Sequence, residues 1–240
     1  MGRKGKMEDA TVTSEYLHEE IKIKWYLPEG FTPFKDYQLC IMQDGDDYFQ
    51  MGRVATLSDQ LHEEVEIEPT IFVGIHYQDK YDRQDKYHPN GKQNNNYIQF
   101  LTNEVLPFIE DTLHISPTKR ALIGDSLAGT LAFMVASQFP KTFDIVIMQS
   151  PYVDEKVLEQ ATHVDHFSNL EIHHTIGTEE TEVHTTSGEV SDFLTPNRKL
   201  NQMLQGKLNI YQYNEFTGNH TWKYWQKDLR NILIEMLGEK

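Results

Sequence analysis

Continuous apolar runs recur along this chain at spacings that helices bridge. YQLCIMQ (37–43), TIFVGIHY (70–77), KRALIGD (119–125), FDIVIMQS (143–150), LEIHHTIG (170–177) and KLNIYQY (207–213) each read as a short strand. Helical patterns fall between them: residues 52–63, the series Ile98, Leu101, Val105, Phe108 and Ile109, LAGTLAFMVASQF stopping at Pro140, Pro196 to Gln205, and HTWKYWQKDLRNILIEML at the end. Strands without polar alternation are buried on both faces, and parallel neighbours need long crossovers. The chain is therefore expected to form an α/β fold, a mainly parallel sheet with helices on both faces. Ile21, Ile23 and Trp25 alternate with polar residues in a half-exposed strand ending at Pro28. Residues 1–240 read as one domain without repeats or linkers, with 1–14 expected to be a poorly ordered N-terminal segment. Residues 78–96 are polar and Asn-rich and read as a long loop.

Charge narrows the partners. A formal net charge of −15 argues against nucleic acid or an anionic membrane, since phosphate binding needs clustered cations. The sole cysteine, Cys40, forms no intramolecular disulfide and fits a reducing compartment. The basic start MGRKGKMEDA has no apolar stretch behind it, unlike a secretory signal, and no run is long enough to span a membrane. The expected location is the cytoplasm. A small-molecule ester is the expected partner, and a homodimer is compatible with the sequence.

The segment LIGDSLAGT (122–130) carries the chemistry. Ser126 stands between a strand and a helix, at the carboxyl end of the strand, where α/β sheets place their sites. A nucleophile elbow needs small residues on both sides of the serine. Gly124 and Gly129 supply them, and Ala128 stands where the usual G-x-S-x-G pattern has glycine. An ordinary helix cap is the bland alternative for Ser126. A hydroxyl becomes a useful nucleophile only beside a base that a carboxylate orients. His220, in TGNHTW between the last strand and the last helix, occupies the base position of the order Ser, acid, His. The acid is expected after LEIHHTIG, with Glu180 preferred, Glu179 second and Asp192 third. The tetrapeptide G-D-S-L is a coincidence. In the hydrolases named for it the serine lies near the N-terminus, and an Asp stands three residues before the His, where this chain has Thr217.

With these residues placed, residues 15–238 resemble the putative-esterase family of α/β-hydrolases, which includes esterase D, the feruloyl esterases and the bacterial enterochelin and bacillibactin esterases. The resemblance rests on the ordered set QDGDDYF, FLTNEVLPFIEDTL, IGDSLAG, FPKTFDIVIMQSP, IGTEE and GNHTWKYW. It implies an α/β-hydrolase fold and a serine carboxylesterase, with Ser126 as nucleophile, His220 as base and Glu180 as the third member. It also implies an oxyanion hole from the N–H of Leu127 and one from the Asp44–Asp47 turn, assigned to Asp46. DRQDKYHP (82–89) is similar to the family's R-x-x-E-Y block, with Asp85-Lys86 near where Glu falls. Arg83, Tyr87, Tyr152 and Trp222 are candidate substrate contacts, although Trp222 and Trp225 also suit a core role.

No cofactor and no metal is expected. His163 and His166 with Asp165 could approach one ion, but His173 and His174 are adjacent on a strand and point to opposite faces. The alternatives are a siderophore trilactone esterase, an S-formylglutathione-type thioesterase, and a catalytically silent binding protein of the same fold. Catecholate siderophores are anionic and match a −15 chain poorly.

Overall fold

The computed structural model describes residues 2–163 and 170–239. Eight strands form one sheet in the order β1-β2-β4-β3-β5-β6-β7-β10. They are β1 (Lys6–Ser14), β2 (Glu19–Leu27), β3 (Gln38–Met42), β4 (Thr70–Ile75), β5 (Arg120–Asp125), β6 (Ile145–Gln149), β7 (Glu171–Gly177) and β10 (Ile210–Phe216). β1 pairs antiparallel with β2, and β2 antiparallel with β4; every other pairing in this sheet is parallel. The last two short strands, β8 (Val183–His184) and β9 (Val190–Ser191), make a separate hairpin.

Alternation along each buried strand divides the core in two. Leu39, Ile41, Ile71, Val73, Leu122, Val146 and Ile172 face one side, toward helices α4 (Asn94–Phe100), α5 (Leu106–Leu113) and α6 (Leu127–Gln138). Cys40, Met42, Phe72, Ile123, Ile145 and Ile147 face the other. They pack against α2 (Val54–Glu63) and α9 (Trp222–Leu237). Both faces of the central strands are thus covered. The edges β1 and β10 are left half exposed and carry polar residues, which discourages pairing with another chain. A π-helical turn, Leu101–Val105, joins α4 to α5. Pro107 lies just beyond it, and a wider turn accommodates a residue that lacks an N–H and crowds the preceding carbonyl. Among the described residues no helix is long and apolar enough to cross a membrane.

Two expectations are corrected here. The segment 1–14, expected to lack order, instead forms β1 from Lys6 and pairs along its whole length, from Lys6 opposite Leu27 to Ser14 opposite Glu19. Its charged sequence shows little burial, because the pairing comes from a neighbouring strand. The polar stretch 78–96 is not a continuous loop: it holds α3 (Lys80–Tyr87) and the start of α4. Asp79 caps α3 by accepting from the N–H groups of Tyr81 and Asp82. Lys86 bridges to Asp82 one turn back and to Glu19 on β2. Capping and ion pairs hold a helix whose apolar face is too short to show as a period.

The chain runs from β3 outward to β4, then returns across β3 to begin β5. This reversal leaves a crevice beyond the carboxyl ends of β3 and β5, where Asp44 and Ser126 emerge.

Candidate active site

Ser126 is held by the turn that joins β5 to α6. Its backbone has φ 52° and ψ −126°, a sparsely populated conformation for a residue with a Cβ and costly unless its surroundings enforce it. Close packing enforces it here. A Cβ on Gly124 would lie 2.2 Å from the carbonyl carbon of Ala128, and one on Gly129 would lie 2.8 Å from the Gly124 oxygen. Ala128 itself is fully buried, so its methyl is accommodated without opening the turn. Gly124→Ala is expected to destabilise the fold by at least about 2 kcal/mol, because backbone, not a flexible side chain, blocks the new methyl. Chemical denaturation measures this, and an unchanged midpoint would refute the close approach.

Three side chains from three strand ends meet in one hydrogen-bonded chain. Ser126 Oγ lies 2.9 Å from His220 Nε2, and His220 Nδ1 lies 2.6 Å from Glu180 Oε2. The carboxylate only accepts, so Nδ1 carries the proton and Nε2 is free to accept from the serine hydroxyl. Glu180 is fully buried. Its other oxygen accepts from Ser150 Oγ at 2.6 Å and from the Gly177 N–H at 2.9 Å. Ser150 Oγ in turn accepts from Trp225 Nε1 at 2.9 Å. Phe193 and Trp225 pack edge-on against the His220 ring at centroid distances of 4.6 and 4.9 Å. These contacts fix the imidazole's direction. The other two candidate acids lie elsewhere: Glu179 is exposed, and the exposed Asp192 accepts from Thr195 N–H at the start of α8 (Leu194–Leu204).

A cavity of about 330 Å³ opens above these groups. Leu127, Arg83, Tyr152 and Trp222 line it, as expected from sequence. Tyr87 does not. It is fully buried on the inner side of α3 against Tyr97 and Tyr77, so its role as a substrate contact is withdrawn. Asp46, expected to lend its backbone N–H, is not among the lining residues, and the direction of its side chain does not decide that role. Its carboxylate turns toward Lys24 at 2.8 Å and His76 at 2.6 Å, while Asp44 and Asp47 face the cavity. Of the four residues read as a turn, Gly45, Asp46 and Asp47 begin α1 (Gly45–Gln50), behind Asp44 at φ 57°. A helix exposes a different set of side chains from a turn. Trp225, assigned to the core, is both buried and part of the cavity wall.

Reasoning from sequence missed Asp44, Asp47, Asp125, Phe193 and the β8–β9 hairpin, all of which line the cavity. Only the aspartates carried a local signal, since Asp125 ends β5 and Asp44 and Asp47 follow closely on the carboxyl end of β3. Arg83 forks onto Asp44, with Nε at 2.8 and 3.0 Å from its two oxygens and Nη2 at 2.5 Å from one. Burial, and then the charges of Asp44 and Asp47, push the Asp125 carboxyl well above the usual carboxylate range. Burial and the Asp44 charge likewise push Asp47 up to about 6, partly opposed by Arg83.

The Asp47 shift has a stability consequence. The folded chain keeps its proton up to about pH 6, against an ordinary value of 3.8. The folded state therefore binds more protons between those limits, and stability falls as pH rises through that window. Because Asp47 is only half-buried, solvent screening reduces the standing cost at higher pH to about 1 kcal/mol. Asp47→Asn is expected to stabilise the protein by that amount at pH 8, with the gain fading toward pH 4. Urea unfolding at both pH values measures it; an equal gain at each would refute the titration.

Among the described residues no group of three or more His, Cys, Asp or Glu side chains could hold a metal ion. Asp165 and His166 lie outside the described residues. His173 Nδ1 meets Gln212 and Glu235, whereas His174 meets Tyr211 and Asn197.

Sheet order, layers and the strained serine turn define an α/β-hydrolase fold. The chain belongs to the family described as "Putative esterase", which matches residues 14–236. It is 40% identical over 240 residues to the "Uncharacterized protein YjcH" of Bacillus subtilis (strain 168), covering 98% of this chain and 99% of that protein. Among solved structures it is similar to the BES protein from Bacillus cereus, with a TM-score of 0.79, 19% identity, and 100% of this chain and 97% of that one covered. It is also similar to the enterobactin esterase FES from Shigella flexneri, with a TM-score of 0.82 and 19% identity. That match covers 98% of this chain, which spans 59% of the esterase's length.

Proposed function

We propose that this protein is a serine carboxylesterase working through an acyl-enzyme. Ser126 Oγ attacks the ester carbonyl as His220 Nε2 takes its proton, and the imidazolium returns that proton to the leaving alcohol. Water, deprotonated by His220, then attacks the acyl-serine and frees the acid. Glu180 holds His220 in the accepting tautomer and stabilises its charged form. Leu127 is the first residue of α6, so its N–H has no partner within the helix and is available to the oxyanion. A second donor comes from the segment that follows β3.

The observation that carries this reading is the chain Ser126–His220–Glu180 at 2.9 and 2.6 Å, on a serine held in strained backbone at a cavity wall. A binding protein of the same fold has no use for the strain or for a buried carboxylate aimed at an imidazole. A siderophore trilactone is the weaker substrate reading, because carboxylates line the cavity and repel anionic catecholates. A thioester of the S-formylglutathione type would use the same three side chains. Cys40, buried and unpaired, supports a cytoplasmic location. The test is covalent labelling by a fluorophosphonate, expected in the parent and absent in Ser126→Ala; no labelling of the parent would overturn the proposal.

A further inference from the structure

The cavity wall holds more acidic side chains than cationic ones. Asp44, Asp47, Asp125 and Glu189 line it, against Lys80 and Arg83. Arg83 is committed to Asp44 through its fork. Lys80 is exposed, with its ammonium 5.0 Å from the centre of the Tyr81 ring. Among the described residues that leaves Asp47 and Asp125 without an ion pair of their own, although the Arg83 charge reaches both.

Asp125 is the more telling of the two. It is 4% exposed, it immediately precedes Ser126, and its Oδ1 has no hydrogen-bond partner among the described residues. Buried polar atoms are almost always satisfied, so an unsatisfied one in a native fold calls for an explanation. Here the atom belongs to a side chain that faces a cavity large enough for a small molecule. Asp47, nearby on the first turn of α1, faces the same space. The Asp44 charge raises the proton affinity of both acids, and the Asp47 charge raises that of Asp125.

We infer that this site selects esters bearing a protonated amino group, which Asp125 and Asp47 hold beside the reacting carbonyl. The inference rests on the esterase reading of the same cavity. An ammonium has three donors and no acceptor, so it can pair with the Asp125 carboxyl where that side chain lines the cavity and also reach Asp47. It brings the ion pair that Arg83, turned to Asp44, does not supply. The aromatic walls from Tyr77, Tyr152 and Trp222 suit the same ligand, since ring faces attract cations. The pocket would then discriminate by charge: a neutral isostere gives the two acids no counter-charge, and an anion meets acidic groups with no cation to receive it.

The experiment compares matched esters. On the acyl side these are p-nitrophenyl esters of 4-(aminomethyl)benzoic, 4-(hydroxymethyl)benzoic and 4-ethylbenzoic acid. On the alcohol side they are acetates of the corresponding benzyl alcohols. In at least one series kcat/KM for the ammonium compound is expected to exceed that of the ethyl compound by about tenfold or more. The preference is expected to shrink toward one in Asp125→Asn and in Asp47→Asn. Because a ratio is read, a general loss of activity in either variant does not obscure the result, and Asp47→Asn serves if Asp125→Asn does not fold. Hydrolysis of all compounds without an ammonium preference, or equal preference for the hydroxymethyl compound, overturns the inference while the esterase reading stands. If no ester is hydrolysed, the esterase reading fails, and calorimetry on Ser126→Ala still decides the cation site. Benzylammonium is expected to bind and benzyl alcohol not; the absence of benzylammonium binding overturns the inference.

Discussion

Ser126→Ala is expected to lose about a millionfold in kcat on an activated ester while remaining folded. The hydroxyl contacts His220 Nε2 at 2.9 Å and anchors nothing else among the described residues, so its removal leaves packing intact. Alanine keeps the Cβ and hence the strain of φ 52°, so its thermal midpoint should match the parent. Ser126→Gly provides the control. It removes the same nucleophile but relieves the strained backbone, and is expected to gain about 1 kcal/mol of stability. Turnover of Ser126→Ala within about tenfold of the parent would overturn the assignment of the nucleophile. His220→Ala should be as inactive as the serine variant, because the groups act as a unit.

Glu180→Gln is expected to lose between about a hundredfold and ten-thousandfold in kcat. Oε1 of Glu180 accepts from Gly177 N–H and Ser150 Oγ, and Oε2 accepts from His220 Nδ1. A glutamine has one oxygen to offer. Two donors on one side favour placing it there, which turns the amide NH₂ toward His220. The imidazole must then accept at Nδ1 and hold its proton on Nε2, where it cannot take the serine's. Glu179→Gln and Asp192→Asn should each stay within a few-fold of the parent, since both residues are exposed. The decisive measurement compares the three amide variants on one ester at equal folded concentration. A large loss in Asp192→Asn with a small one in Glu180→Gln would move the acid to the later loop.

The charged cavity also bears on stability. Asp47 and Asp125 are held where burial disfavours their ionised forms, an arrangement that weakens the folded state and is common where a site must bind charge. The Asp47→Asn unfolding experiment and the matched-ester comparison thus probe one feature from two sides. A variant that gains stability at pH 8 and loses ammonium preference would connect them.

The sheet was legible because a strand buried on both faces writes its environment into consecutive apolar residues, as in TIFVG and IVIM. The serine turn was legible for a similar reason. Close backbone contact demands Gly124 and Gly129 within the motif itself, and strand, turn and helix are contiguous in the chain. β1 and α3 were not legible, since pairing with β2 holds the one and capping with ion pairs holds the other. Two neighbouring glutamates, Glu179 and Glu180, have the same side chain and differ by one position; what separates them is the tight turn after Gly177. That turn buries Glu180 against Ser150 and His220 and leaves its neighbour in water. Tyr87 was misplaced because the side of α3 a residue occupies depends on how the helix docks. The unpartnered acid of Asp125 belongs to the same class. Its meaning lies in the pairing of Arg83 with Asp44, residues 39 positions apart, and only the folded chain brings those groups to one wall.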